Sequence, residues 1–191
     1  MEALMRWHTT AVAARAVRAG LALTLALGLA SVAAAQSLEY AVKAAYLSKF
    51  GFYVEWPKSA FSGPSSPINL CVIGDDPFSG LLDDAVAGQQ VEGRPIVVRR
   101  LKAAARDAGC HIAYLGGDAR APATIDSLRG TPTLVVTDAH SAGNASGVIQ
   151  FVLKDNRVRF TIDDETAAQN GLAISSKLLS LALNVKPRGS R

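Results

Sequence analysis

The chain is poor in the residues that carry covalent and metal chemistry. Its 191 residues include two cysteines and three histidines, and one of those histidines, His8, falls in the amino-terminal leader. There is no His-Glu-x-x-His pattern and no Gly-x-Ser-x-Gly turn, and Ser141 and Ser146 have no evident base beside them. Hydrolytic and zinc-protease chemistry therefore find no support. The run "LGGD" is too short for a dinucleotide fingerprint. Cys71, Cys110 and His111 are too few for a structural zinc site, and the two cysteines are too far apart in sequence for a redox motif. Charge of one sign is lacking as well. The 20 Lys and Arg are scattered among 16 Asp and Glu, and Arg6, Arg15 and Arg18 against Glu2 account for part of the net +4. No nucleic-acid partner is expected. No repeat or low-complexity tract occurs. The expectation is a chain without catalytic residues, cofactor or metal.

The leader itself is well marked. Three arginines precede the apolar run "LALTLALGLA", and "SVAAAQ" follows with Ala33 and Ala35 at the small-residue positions of a signal-peptidase site. The run is short for a span of roughly 20 residues, so an uncleaved anchor is the weaker alternative. Residues 1–35 read as an export signal cleaved after Ala35, and 36–191 as a single periplasmic domain. No later run is apolar for long enough to cross a bilayer.

Export bears on the cysteines. In an oxidising compartment an even, minimal set pairs more often than it remains as two buried thiols. A Cys71–Cys110 bridge would close a loop whose entropy is worth about 4 kcal/mol.

From Ile68 onward the chain alternates. "INLCVIG", "RPIVVRRL", "CHIAYLG" and "TPTLVVTDA" read as strands, while 75–88, 102–109 and 118–130 read as helices, each closed by a glycine. This alternation predicts an α/β fold, a mainly parallel sheet with helices on both faces. "GVIQFVLKDNRVRFTID" then predicts an antiparallel hairpin on the sheet edge. Helices are expected at both termini. The first has a stripe of Leu38, Val42, Ala45, Tyr46 and Tyr53, stopped by Pro57. The last, through 171–185, has Ile174, Leu178, Leu181 and Val185 on a face widened by Leu179 and Leu183. That broad face reads either as a helix wedged between sheet and first helix or as a partner surface.

Two places suggest chemistry. Asp75, Asp76, Asp118, Thr137, Asp138 and His140 follow the strands, so a parallel sheet would gather them on one carboxyl-end rim. "DDPF" also reads as a helix start whose carboxylates accept free amides, and that is the reading adopted. In "NRVRF", Arg157 and Arg159 share one strand face, where two guanidiniums meet solvent, a carboxylate or an anionic ligand. Ser175, Ser176 and Lys177 could join such an anion site or cap the last helix.

The stretches "KAAYLSKFGFYVEWP", "LCVIGDDPF", "GRPIVVRR", "CHIAYLG", "LVVTD", "GVIQFVLKDNRVRF" and "GLAISSKLLSLA" run in order across nearly the whole of 36–191. In this ordered set the chain resembles the YfiR-like family of small exported bacterial proteins. The resemblance implies a periplasmic negative regulator that contacts the periplasmic domain of an inner-membrane diguanylate cyclase and holds it inactive. It further implies sequestration by an outer-membrane lipoprotein, a homodimer, and aromatic or phosphorylated small ligands. By the same resemblance Cys71 and Cys110 match a structural disulfide, and Asn156, Arg157, Arg159, Ser175 and Ser176 a ligand region. Trp56 and Pro57 match the aromatic end of the first helix and, with Leu179 and Leu183, are the expected partner contacts. The chain departs from the family pattern at Ser146, where a second glycine is common, and at Thr161 and Asp163, where Glu and Asn are common. A periplasmic small-molecule sensor with a different partner is the alternative reading.

Overall fold

A computed structural model describes residues 36–116, 121–139 and 146–189. The leader, Asp118, His140 and Ser141 lie outside them. The chain divides into two compact units, Met1–Glu39 and Tyr40–Arg191. The first contributes residues 36–39, which are helical.

The second unit opens with helix α1, through residues 40–50. A 3-10 turn, Gly51–Tyr53, leads to strand β1, Val54–Glu55. Next come β2 (Ile68–Ile73), α2 (Leu81–Val86), β3 (Gln90–Val91), β4 (Arg94–Leu101), β5 (Ile112–Leu115), α3 (Ala121–Leu128) and β6 (Leu134–Asp138). The chain continues as β7 (Ile149–Lys154), β8 (Arg157–Asp163), α4 (Asp164–Gln169), β9 (Ala173–Ile174), α5 (Ser176–Leu179) and β10 (Asn184–Lys186). The large sheet has the order β10-β8-β7-β6-β5-β2-β4-β3, and β1 pairs with β9 alone. Within the large sheet only β7–β8 and β3–β4 are antiparallel. The fold is α/β with a mainly parallel sheet, as the alternation predicts.

Alternation along the strands divides the core in two, because successive side chains point to opposite faces. Leu70, Val72, Ile112, Tyr114, Leu134 and Val136 face α1 and α2, in one cluster with Ala44, Leu47, Phe50 and Leu82. Cys71, Ile73, Ala113, Leu115 and Val135 face α3 through Ala121 and Leu128. Helices thus cover both faces. On the α1 side Phe50 lies 5.9 Å from Phe151 and 5.5 Å from Phe160 between ring centroids. Burying such a ring is worth roughly 1.5–3 kcal/mol.

Several expected helices differ from the structure, each for a local reason. The 75–88 segment is helical only over Leu81–Val86. Asp76 instead closes a turn by accepting from the Phe78 amide at 2.8 Å, and Ser79 at φ +52° breaks the path. The reading of Asp75 and Asp76 as a helix start is therefore corrected. Residues 102–109 form turns, with Arg99 Nη1 donating to the Ala108 carbonyl and Arg106 Nη1 to that of Arg129. Eight residues nucleate a helix poorly, and here the Ala108 carbonyl is taken by Arg99 instead.

The long terminal helix is also absent. Its first residues pair with β1, only Ser176–Leu179 stays helical, and Leu183 leaves to donate to the Phe160 carbonyl at the start of β10. Sheet hydrogen bonding outweighs the helical spacing of the leucines, so the broad apolar helix face does not exist. It follows that β10, not the hairpin, is the edge of the sheet. The hairpin itself is as expected: Asp155 and Asn156, at φ +50° and +57°, form the two-residue turn that matches strand twist. Gly147, entering β7, has no substitute, since a Cβ there would lie 2.5 Å from the Val135 carbonyl oxygen.

The Cys71–Cys110 disulfide ties β2 to the residue two before β5, with Cα atoms 5.8 Å apart. Both cysteines are buried. Replacing both with serine is expected to lower Tm by about 10 °C, from the loss of the loop constraint in a domain of this size. Thermal unfolding followed by circular dichroism, with and without reductant, measures this; an unchanged midpoint would mean that the bridge contributes nothing.

Candidate functional site

α1 ends at residue 50, six residues before Trp56, so Trp56 and Pro57 do not cap that helix. They follow β1, on a segment that β9 holds down through Val54↔Ile174 and Glu55↔Ala173. The Ser175 amide donates to the Tyr53 carbonyl at 2.9 Å, which brings the end of β9 alongside the 3-10 turn. Two adjoining cavities, about 410 and 470 Å³, open beside this segment and share Trp56, Lys58, Phe61, Glu92 and Arg94. Phe52, Tyr53, Glu55 and Ser175 are among the other residues that line the first. This cleft lies at the starts of β2 and β4, where Ile68 and Arg94 line it. Ligands in parallel sheets more often sit at the opposite, carboxyl-end rim.

The wall of the cleft is a stack built on His111. Phe61 lies parallel to the imidazole at 4.6 Å, the Arg94 guanidinium sits 3.8 Å above the Phe61 ring, and Trp56 meets the imidazole edge-on at 6.2 Å. Backbone bonds fix each member. Trp56 Nε1 donates to the His111 carbonyl at 3.3 Å, and Arg94 Nη1 to those of Gly63 and Ser66, both at 2.9 Å. His111 Nδ1 accepts from the Asn69 amide at 3.0 Å, which leaves Nε2 as the protonated nitrogen facing the Ala60 carbonyl at 3.1 Å. Burial depresses the His111 pKa below its ordinary 6.5; the Ala60 bond opposes this, and the Arg94 charge adds to it.

The cleft thus combines aromatic faces with charges of both signs, Lys58 and Arg94 against Glu55 and Glu92. Such a lining can hold a flat, polar or zwitterionic molecule. Among the described residues no three His, Cys, Asp or Glu cluster as metal ligands.

The expected site residues separate. Trp56 and Ser175 share the cleft, whereas Arg157, Arg159 and Leu183 line another hollow of about 240 Å³ beside Lys154 and Asp155. Asn156 serves the hairpin turn. Ser175 caps α5 through the Leu178 amide at 3.4 Å, Ser176 is exposed, and Leu179 packs half-buried on the core. Pro57 accepts from the Ala60 amide at 2.9 Å. On the carboxyl-end rim, Thr137 accepts from the Gly147 amide at 3.1 Å. Asp138 forms a buried ion pair with Lys43 of α1. Asp76 binds Arg100 Nε at 2.7 Å. Lys43, Phe61 and Arg94 carry no local signal that marks them in the sequence, whereas a histidine in an apolar strand reads as core, and His111 is buried.

The structure is thus an α/β sheet covered on both faces, with a ligand-sized cleft at the amino ends of β2 and β4. Residues 40–183 match the model of the family described as YfiR/HmsC-like, and the chain belongs to that family. No curated protein matches it. Among the described residues no helix is long and apolar enough to cross a membrane.

The neutral His111 gives a pH signature. Its pKa is lowered on folding, so below about 6.5 the unfolded chain takes up a proton that the native state refuses. Its contribution to stability is complete above that value and is lost as pH falls from it toward the depressed native pKa. Tm measured from pH 7.5 down to 5 should decline more steeply in the wild type than in His111→Gln; equal slopes would count against this account.

Proposed function

We propose that the chain is an exported regulatory protein that binds the periplasmic domain of an inner-membrane diguanylate cyclase and holds it inactive, lowering cyclic di-GMP and biofilm formation. Membership of the YfiR/HmsC-like family over 40–183 carries this reading. The leader, with cleavage after Ala35 and 36–191 as one periplasmic domain, and the disulfide, which belongs in an oxidising compartment, support it. The protein acts by contact and has no catalytic role, cofactor or metal. Trp56 and Pro57, on the β9-pinned segment, with Leu179 at the end of α5 and Leu183 beyond it, are the proposed partner contacts. A homodimer and sequestration by an outer-membrane lipoprotein belong to the same reading.

Deleting the gene should raise intracellular cyclic di-GMP, and returning the exported protein should reverse the rise. An unchanged level in the deletion strain would remove the inhibitor reading.

The cleft favours a second reading that is compatible with the first, a sensor of a small aromatic or anionic ligand. A thermal-shift screen of aromatic amino acids and nucleotides tests it. A binder should raise Tm by more than about 1 °C at millimolar concentration, and Trp56→Ala should abolish the shift. No shift with any compound would sink this reading.

A further inference from the structure

The His111 ring is bonded in a way that requires its neutral form. The Asn69 amide donates to Nδ1 at 3.0 Å, and Nε2 donates to the Ala60 carbonyl at 3.1 Å. Both nitrogens of a protonated imidazole are donors, so a proton added at Nδ1 would set two N–H groups against each other. Neither backbone can withdraw. The His111 amide donates to the Asn69 carbonyl at 2.9 Å, the Leu134 amide to the His111 carbonyl at 2.8 Å, and Asn69 is paired with Val97 inside the sheet. Asn69 is tied again through its side chain, whose Nδ2 donates to the Gly109 carbonyl at 2.8 Å. The imidazole itself must therefore turn. Because the ring is rigid, a rotation that takes Nδ1 off the Asn69 amide also takes Nε2 off Ala60 and the ring face off Phe61.

Those last two contacts hold the connector between β1 and β2 on the sheet. The connector's own bonds, from the Ala60 amide to the Pro57 carbonyl and from the Phe61 amide to the Lys58 carbonyl, close local turns. Its attachments to the sheet are His111, through Ala60 and the Phe61 stack, and Arg94, through Gly63 and Ser66, with Trp56 fastening its start. The charges around the ring do not welcome another cation. Arg94 of β4 repels one, β2 presents the neutral Asn69, and the connector presents the apolar Phe61. Lys58, Glu55 and Glu92 lie in the exposed outer lining of the cleft, and among the described residues no carboxylate bonds the ring.

We propose that His111 is an acid-operated latch: protonation at Nδ1 turns the ring out of the stack and frees the connector, so that the cleft is assembled at neutral pH and comes apart in acid. The role of such a latch rests on the reading of the cleft as a ligand site, to which it adds a dependence on pH. A molecule held there at neutral pH would be released in acid.

The test is NMR of the exported protein without ligand, its amino terminus determined by mass spectrometry, as pH is lowered from 7.5. Long-range hydrogen–nitrogen spectra of the imidazole report which ring nitrogen is protonated, and nuclear Overhauser contacts between His111 and Phe61 report the stack. At the starting pH the proton should sit on Nε2 and the contacts should be present. Uptake of the second proton and loss of the contacts should then follow one curve, a single-proton step that runs from a tenth to nine-tenths over about two pH units. The amide signals of Ala60, Phe61 and Gly63 should move with it, while those of Leu115 and Val136, at the far ends of their strands, hold. His111→Gln should abolish these shifts, and His140→Gln, which removes the other histidine of 36–191, should leave them unchanged. A ring that protonates with the Phe61 contacts intact, a ring that stays neutral until the sheet itself unfolds, or amide shifts that survive in His111→Gln would each overturn the proposal. Because no ligand is present, a failed ligand screen leaves this result standing, and a failed latch leaves the cleft as a site that pH does not govern.

Discussion

The buried ion pair between Lys43 and Asp138 governs how the rest of this domain is arranged. Both side chains are almost wholly excluded from solvent, at 3 % and 2 %. Charges so placed must be matched, because leaving one unpaired costs about 3–5 kcal/mol. Asp138 ends β6 at the carboxyl end of the sheet, so the pair fixes both the rotation and the height of α1. From there the helix descends the sheet with Ala44, Leu47 and Phe50 turned inward, and Phe50 enters between Phe151 and Phe160. A helix held only by small and apolar contacts could slide by a turn; one held by a buried charge cannot do so without exposing or orphaning it.

That placement determines where the cleft can be. Once Phe50 is seated, the chain has only the Gly51–Tyr53 turn before β1, and a Cβ at Gly51 would meet Val91 at 3.3 Å. The 51–61 segment is therefore laid across the amino ends of β2 and β4, where Trp56 and Phe61 close on His111. The disulfide acts on the same point from the other face. Cys110 is anchored among Cys71, Ala113 and Val135, and the next residue, His111, stacks behind Phe61 of the cleft wall. Thr133 Oγ1 donates to the Cys110 carbonyl at 2.9 Å, and Asn170 Nδ2 to the Thr133 carbonyl at 3.0 Å. The cleft wall is thus held by the disulfide, by a buried amide and by α1, three constraints from separate parts of the chain.

Which features were legible follows from how local their causes are. The strands of the parallel sheet and the Asp155–Asn156 hairpin could be read because β-branched runs and turn residues are local signals. The stripe of α1 was read one position off: Val42 and Ala45 are exposed, whereas Lys43, Ala44, Leu47 and Ser48 are buried. A lysine and a serine on the inner face hide the apolar period, and it takes the distant Asp138 to make the lysine tolerable there. The carboxy-terminal segment misleads in the opposite sense, since its leucines have helical spacing but their backbone is taken by β1 and β8. The Arg157–Arg159 face was correct as strand geometry. Its grouping with Ser175 was not, because a linear motif does not record that the two stretches border different hollows.

The opposition between the two ends of the sheet bears on how a contact regulator of this build could work. The amino end is rigid: aromatic rings stack on a histidine whose two nitrogens are both engaged, and an arginine clamps the connector. The carboxyl-end hairpin has a two-residue turn and exposed cations. Rigid, concave and mixed in charge suits selection of one small molecule. α1 spans the two ends, with Lys43 near one and Phe50 near the other, and it is the element through which filling the cleft would be felt at the carboxyl-end rim.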